Sequence, residues 1–141
     1  MRIKKSAKKP KKKLEYDGVT FRSNLEIFAY KALKEAKIKF EYEKTSYLLQ
    51  EGFTFPNSTY QKVGKSGMKY AEKTSIRKIT HTPDFKCANW VLETKGFLRQ
   101  SNANIIKMFK YHILKNKLKL SYFMAHNQTQ INECIKLIKN L

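Results

Sequence analysis

Two short runs with strand character, residues 82–86 and 90–95, are joined by only three residues, Cys87-Ala88-Asn89. Side chains alternate along a strand, so Glu93 and Lys95 share a face with Val91, while Trp90, Leu92 and Thr94 take the other. Asp84 lies on the preceding run, and if the two runs pair, its carboxylate can face Glu93. A fold built on this pair has to bury one side of a sheet and hold two carboxylates and an ammonium together at one end of it.

The rest of the chain supplies the layers for such a sheet. Asp17-Gly18 between 14–16 and 19–21 is a hairpin signal, because both turn positions need positive φ. A helix is expected over about 24–37, with Leu25, Phe28, Ala29, Ala32, Leu33 and Ala36 on one face and Lys31 and Lys34 on the other. Residues 38–42 alternate as a strand. A long segment, 43–81, follows with Gly52, Pro56, Asn57, Gly64 and Gly67, and 48–55 and 75–80 are strand candidates within it; a connection this long usually carries function or mobility. A helix over about 103–115, turning Ile106, Phe109, Ile113 and Leu114 to one side, leads to a strand over 118–125. A closing helix over about 130–140 has Thr129 as its N-cap and Ile131, Cys134, Ile135 and Ile138 inward. The expected architecture is α/β, a mixed central sheet flanked by helices, in one domain over 14–141 with an insertion at about 43–81.

Charge narrows the partners. The chain of 141 residues carries 30 Lys and Arg against 11 Asp and Glu, a net charge of +19. Residues 1–13 form a basic arm of Arg2, Lys4, Lys5, Lys8, Lys9, Lys11, Lys12 and Lys13 with no acid, expected to be disordered when free. Without that arm, basic residues still outnumber acidic ones two to one, so the body itself attracts polyanions, of which nucleic acid is the commonest. Lys8, Lys9, Lys11, Lys12, Lys13, Arg22, His81 and Arg99 are candidate DNA contacts, and Lys107, Lys110, Lys115, Lys117 and Lys119 could line a groove. Tyr42, Tyr47, Tyr60 and Tyr70, near lysines, are either stacking residues or core. Cys87 and Cys134 have no metal-ligand spacing, and neither do His81, His112 and His126, so structural zinc is not expected. No glycine-rich phosphate loop implies a nucleotide cofactor. No run is long enough for a membrane span and no apolar signal core follows the basic residues, so the expectation is a soluble, cytoplasmic protein.

The chemistry that Asp84, Glu93 and Lys95 suit is phosphodiester hydrolysis. Mg²⁺ prefers hard oxygens and lowers the pKa of bound water. Asp84 and Glu93 offer two such oxygens, the Thr94 carbonyl a third, and Lys95 can orient water or stabilise charge on the phosphate. An exposed Glu-Thr-Lys run alone would be an ordinary surface ion pair; Thr82-Pro83-Asp84-Phe85 nine residues before the glutamate makes it a site.

These residues resemble the PD-(D/E)XK nuclease superfamily, and most of all its phage endonuclease I branch, resolvases of branched DNA such as Holliday junctions. Three blocks carry the likeness: Phe21-Arg22-Ser23-Asn24-Leu25-Glu26, Ile38-Lys39-Phe40-Glu41-Tyr42-Glu43, and Thr82-Pro83-Asp84-Phe85 with Glu93-Thr94-Lys95-Gly96. The resemblance implies a restriction-endonuclease-like fold, Mg²⁺ replaceable by Mn²⁺, a DNA substrate, a homodimer, a bacterial or phage-infected host, and catalytic residues Glu26, Asp84, Glu93 and Lys95. It makes Glu26 a second metal contact; Ser23-x-x-Glu26 is equally a capping box. The 43–81 connection is much longer than in that branch, which puts a domain-swapped dimer in doubt and leaves sequence-specific nicking or homing endonucleases of the same fold as an alternative. A basic DNA-binding protein without catalysis is the alternative from another class.

Overall fold

The computed structural model describes residues 13–141. The expectations for Lys8, Lys9, Lys11 and Lys12 fall outside them; Lys13 is exposed. Strands β1 (Leu14–Tyr16) and β2 (Val19–Phe21) form the hairpin, with φ of 53° at Asp17 and 72° at Gly18, as a type I′ turn requires. Helix α1 (Asn24–Glu35) follows, opened by Ser23, whose hydroxyl accepts from the Glu26 N–H. It closes on Lys37 at φ 57°, with the Ile38 N–H bonded to the Leu33 carbonyl and the Lys37 N–H to that of Lys34, the paired bonds of a Schellman cap.

The expected strand over 38–42 shrinks to β3 (Glu41–Tyr42), because the helix cap consumes the residues before it. The 43–81 segment is not an irregular loop. It runs out through β4 (Tyr47–Gln50), β5 (Phe53–Phe55) and β6 (Thr59–Lys62) and returns through β7 (Met68–Ala71), β8 (Thr74–Ile76) and β9 (Ile79–His81). The pairs β4–β9, β5–β8 and β6–β7 are all antiparallel and nested, making one two-stranded ribbon. The chain reverses at 63–67, where Gly64 and Gly67 take positive φ.

Then come β10 (Phe85–Lys86), β11 (Trp90–Thr94), α2 (Gln100–Lys115), β12 (Ser121–Ala125) and α3 (Gln128–Lys139). The order β12-β11-β10-β3 makes a four-stranded mixed sheet, parallel between β11 and β12 and antiparallel elsewhere. Sequence reading needs three corrections here. The N-cap of α3 is Asn127, whose side chain accepts from the Gln130 N–H, in place of Thr129. The last strand starts at Ser121, since a second Schellman cap at Lys117 takes up the preceding residues. Leu114 is exposed, because five positions from Phe109 turn it about 140° away from the packed side of α2.

Tyr42, Phe85, Leu92 and Trp90 point to one face of the sheet and pack with Ala29, Tyr30 and Leu33 of α1 and with Ile131, Cys134, Ile135 and Ile138 of α3. Full burial of a side chain such as Phe85 or Leu92 contributes about 1.5–3 kcal/mol. The other face meets α2, through Phe109 beside Tyr122 and through Ile106. The protein is therefore mixed α/β, with three helices and several small sheets among the described residues. No helix among them is long and apolar enough to cross a membrane.

Candidate active site

The register of the sheet decides which charged groups meet. Phe85 pairs with Leu92 on one side and with Tyr42 on the other, so one step along these ladders sets Glu43, Asp84 and Glu93 in a row across three strands. The Glu43 N–H donates to the Asp84 carbonyl at 2.8 Å and continues the ladder on one side. The Thr94 N–H donates to Asp84 Oδ2 at 2.8 Å, with the Thr94 hydroxyl at 3.2 Å, on the other. Alternation turns Asp84 and Glu93 to the face opposite Phe85 and Leu92, which pack in the α1–α3 core.

Glu26 joins from the first turn of α1. It is buried, and its Oε2 accepts from the Arg22 N–H at 3.2 Å and from the Tyr42 hydroxyl at 2.6 Å. The capping box is thus a variant: Ser23 caps the helix, while Glu26 reaches one residue beyond the cap. That bond leaves Glu26 in the cluster, where oxygens of Glu26, Glu43 and Asp84 lie within 4.8 Å of one another. Two full charges at that distance repel by about 3.5 kcal/mol at an effective dielectric constant of about 20. Arg22 Nε, 3.3 Å from Glu43 Oε1, offsets part of this from an exposed position.

Glu93 stands at the other end of the row. Its Oε1 is bonded to His81 Nε2 and its Oε2 to the Tyr122 hydroxyl, and the side chain is fully buried. Phe109 of α2 packs on both partners, with ring centroids 4.9 Å from His81 and 6.2 Å from Tyr122. Burial, and then the Glu93 charge, hold the Tyr122 phenol above its ordinary range, so it stays protonated and donates. Burial and the Glu26 charge do the same for Tyr42.

Asp84 is pushed up to about 6, first by burial, then by the charges of Glu26 and Glu93, against the Thr94 N–H and the Lys95 ammonium. Lys95 is half-buried, and its backbone is fixed on both sides: its N–H donates to Ala125 at 3.0 Å and its carbonyl meets His126 Nδ1 at 2.5 Å. Arg22, His81, Asp84, Glu93 and Lys95 line one cleft of about 260 Å³, closed by Asn102, Ile105 and Ile106 of α2. A larger hollow of about 530 Å³ by Tyr30, Lys37 and Phe40 has no carboxylate in its lining.

Of the residues expected from sequence, Glu26, Asp84, Glu93, Thr94, Lys95, Arg22 and His81 come together here. Thr94 meets the cluster through its N–H and hydroxyl, both on Asp84. Arg99 is exposed at the N-cap of α2, makes no side-chain cap bond and does not line the cleft. His81 contacts Glu93, a carboxylate partner that sequence did not foresee. Glu43 and Tyr122 were missed as site residues, and Tyr42, expected to stack or to pack in the core, donates its hydroxyl to Glu26. The signals for Glu43 were its place at the end of the block 38–43 and strand alternation with Glu41, which names a face but not a register.

Comparison of the chain with family models, with curated proteins and with solved structures returned no match.

Proposed function

We propose that the protein is a metal-dependent endodeoxyribonuclease with the restriction-endonuclease-like PD-(D/E)XK fold, hydrolysing phosphodiester bonds in branched or Holliday-junction DNA as a homodimer. The observation that carries the reading is the row Glu43–Asp84–Glu93, joined by Glu26, in which Asp84 and Glu93 share a cleft with Lys95. Glu26, Glu43 and Asp84, with oxygens within 4.8 Å of one another, form a costly arrangement that a dication relieves, and hard oxygens are the donors Mg²⁺ or Mn²⁺ takes. Glu26, Glu43 and Asp84 would hold the ion, with Glu93 next to Asp84 in the row. When bound, Mg²⁺ supplies acidity to the attacking water and charge to the phosphate.

The chain's own groups do the remaining work. Lys95 sets an ammonium over the same cleft, where it stabilises the charge that develops on the phosphate oxygens. His81 and Tyr122 hold both oxygens of Glu93, so its orientation is set before substrate arrives. Ile105 and Ile106 give the cleft an apolar wall that limits water. The junction preference rests on the likeness of the three sequence blocks, and the dimer on the two cuts that resolving a junction needs.

One observation favours a non-catalytic DNA-binding role instead: Glu93 and Glu43 already have partners, in His81, Tyr122 and Arg22. The test incubates folded protein with four-way junction and linear duplex, with Mg²⁺ or with EDTA. Mg²⁺-dependent cleavage of the junction is expected, with Glu93→Gln or Lys95→Ala slowing it about 10²–10³-fold while DNA binding persists. Absence of metal-dependent cleavage would sustain the binding module. Cleavage of linear duplex at one sequence would sustain a nicking or homing enzyme.

A further inference from the structure

The ribbon β4–β9 presents a surface that the cleft chemistry leaves unexplained. From Tyr47 to Ile79 no residue is buried. Seven of the fourteen exposed large hydrophobics among the described residues lie on it: Leu48, Phe53, Phe55, Tyr60, Val63, Met68 and Tyr70. A two-stranded ribbon without a core is marginal in water, so this apolar content implies a partner. Charge says which. Between residues 53 and 76 the ribbon carries Lys62, Lys65, Lys69 and Lys73 against a single acid, Glu72, all exposed.

The register arranges these groups for one kind of surface. Tyr60 pairs with Tyr70 and Lys62 with Met68, so two phenols and an ammonium occupy one face of the distal ladder. Lys69, opposite Gln61, projects from the other face, and Lys65 sits in the turn. A ribbon with cationic groups on both faces and at its end suits a cavity walled on two sides by anions. The duplex major groove is such a cavity, about 12 Å wide, and admits a two-stranded β-ribbon between its phosphate rows. The ribbon's root is at the cleft, since His81 ends β9 and binds Glu93.

We infer that the distal ribbon, residues 53–76, is a duplex-DNA-binding arm that enters a groove beside the segment held at the cleft. This deepens the nuclease reading and rests on it for the substrate. From His81 to Lys65 the chain spans at most about 50 Å at about 3.3 Å per residue, so the tip contacts duplex up to about one and a half turns from the cleft.

The test measures binding in EDTA, where nothing is cut. Fluorescence anisotropy with a 30-base-pair duplex compares the wild type with a combined Lys62→Ser, Lys65→Ser and Lys69→Ser variant, whose exposed positions leave the fold unaffected. The expected result is a drop of about 2.7 in the slope of log affinity against log salt. A control, Lys37→Ser with Lys136→Ser and Lys139→Ser, removes the same charge elsewhere and should change the slope much less. Tyr60→Ala with Tyr70→Ala should weaken binding with little change in slope. Equal slopes for the two lysine variants would overturn the proposal, as would unchanged affinity. A ribbon variant that alters only the oligomeric state, or only binding to double-stranded RNA or anionic vesicles, would also overturn it. Because no arm of the experiment requires cleavage, failure of the ribbon proposal and failure of the nuclease reading are separately visible.

Discussion

At the sheet end, Phe85, Val91, Leu92 and Phe109 are fully buried, and every charged side chain of the row has a named partner. Along the ribbon the aromatics are as frequent, yet Phe53, Tyr60 and Tyr70 are exposed, and the ladders contact chiefly each other. The first region draws its rigidity from packing; beyond Tyr47 and His81, whose rings pack on Phe109, the second rests mainly on cross-strand hydrogen bonds. Precise placement of carboxylates needs the first kind of support, and adapting to a long polyanion tolerates the second.

The largest effect that would sharpen this contrast is a pair of truncations. Phe85→Ala removes a fully buried ring from between the sheet and α1 and should cost about 3–5 kcal/mol, whereas Phe53→Ala on the ribbon should cost under about 1 kcal/mol. Urea unfolding reads both. Similar losses would mean that the ribbon packs as part of the core, against the separation drawn above.

A smaller effect tests what the buried row costs. Folding raises Asp84 from its ordinary 3.8 to about 6, so its contribution to stability is fully present below about pH 4 and lost as pH rises through about 6. The loss amounts to roughly 3 kcal/mol at neutral pH. Asp84→Asn keeps an acceptor for the Thr94 N–H and has no charge to bury. Its stability advantage over the wild type should open between pH 4 and 6 and hold constant above about 7, while cleavage is lost. Thermal melts across that range check it, and an advantage at pH 4 equal to that at pH 8 would contradict the assignment. Saturating Mg²⁺ or Ca²⁺ should recover about 2.7 kcal/mol in the wild type at a hundred times its dissociation constant, and none in Asp84→Asn.

The smallest effect concerns the caps. Lys117 holds a left-handed φ of 53° at the end of α2, where glycine carries no steric penalty. Lys117→Gly should raise stability by about 0.5–1 kcal/mol, measured by urea midpoint, and leave the ribbon's amide exchange unchanged.

Much of the sheet end was legible because its signals are local. Asp17-Gly18 announces its turn through two positive φ values, and the periodicity of α1 and α3 names their buried faces. Alternation placed Glu93 and Lys95 on one face, and the short 87–89 connection left Asp84 little choice but to face Glu93. Glu43 escaped because its place depends on the pairing of β3 with β10, a contact between residues far apart in the chain. It also holds a left-handed φ of 44° at the strand end, which no hydrophobic pattern encodes. The ribbon escaped for a different reason. Its root was partly visible, since the strand candidates 48–55 and 75–80 cover most of β4, β5, β8 and β9, but β6 and β7 bury neither face, so the apolar alternation that reveals a half-buried strand has no cause to appear there.

The nested ribbon also offers the molecule a route by which to assemble. Glu43 and Asp84 are separated by the whole insertion, and closing such a span as slack chain would cost loop entropy before any contact repaid it. A hairpin that closed first at the 63–67 turn, on the microsecond scale of hairpins, would close only a short loop. Each pair added below it, Tyr60 with Tyr70, Phe53 with Ile76, Tyr47 with His81, shortens the remaining gap. Zipped in that order, the ladders would run down to where β3 meets β10 and would bring two distant carboxylates together by a succession of short steps.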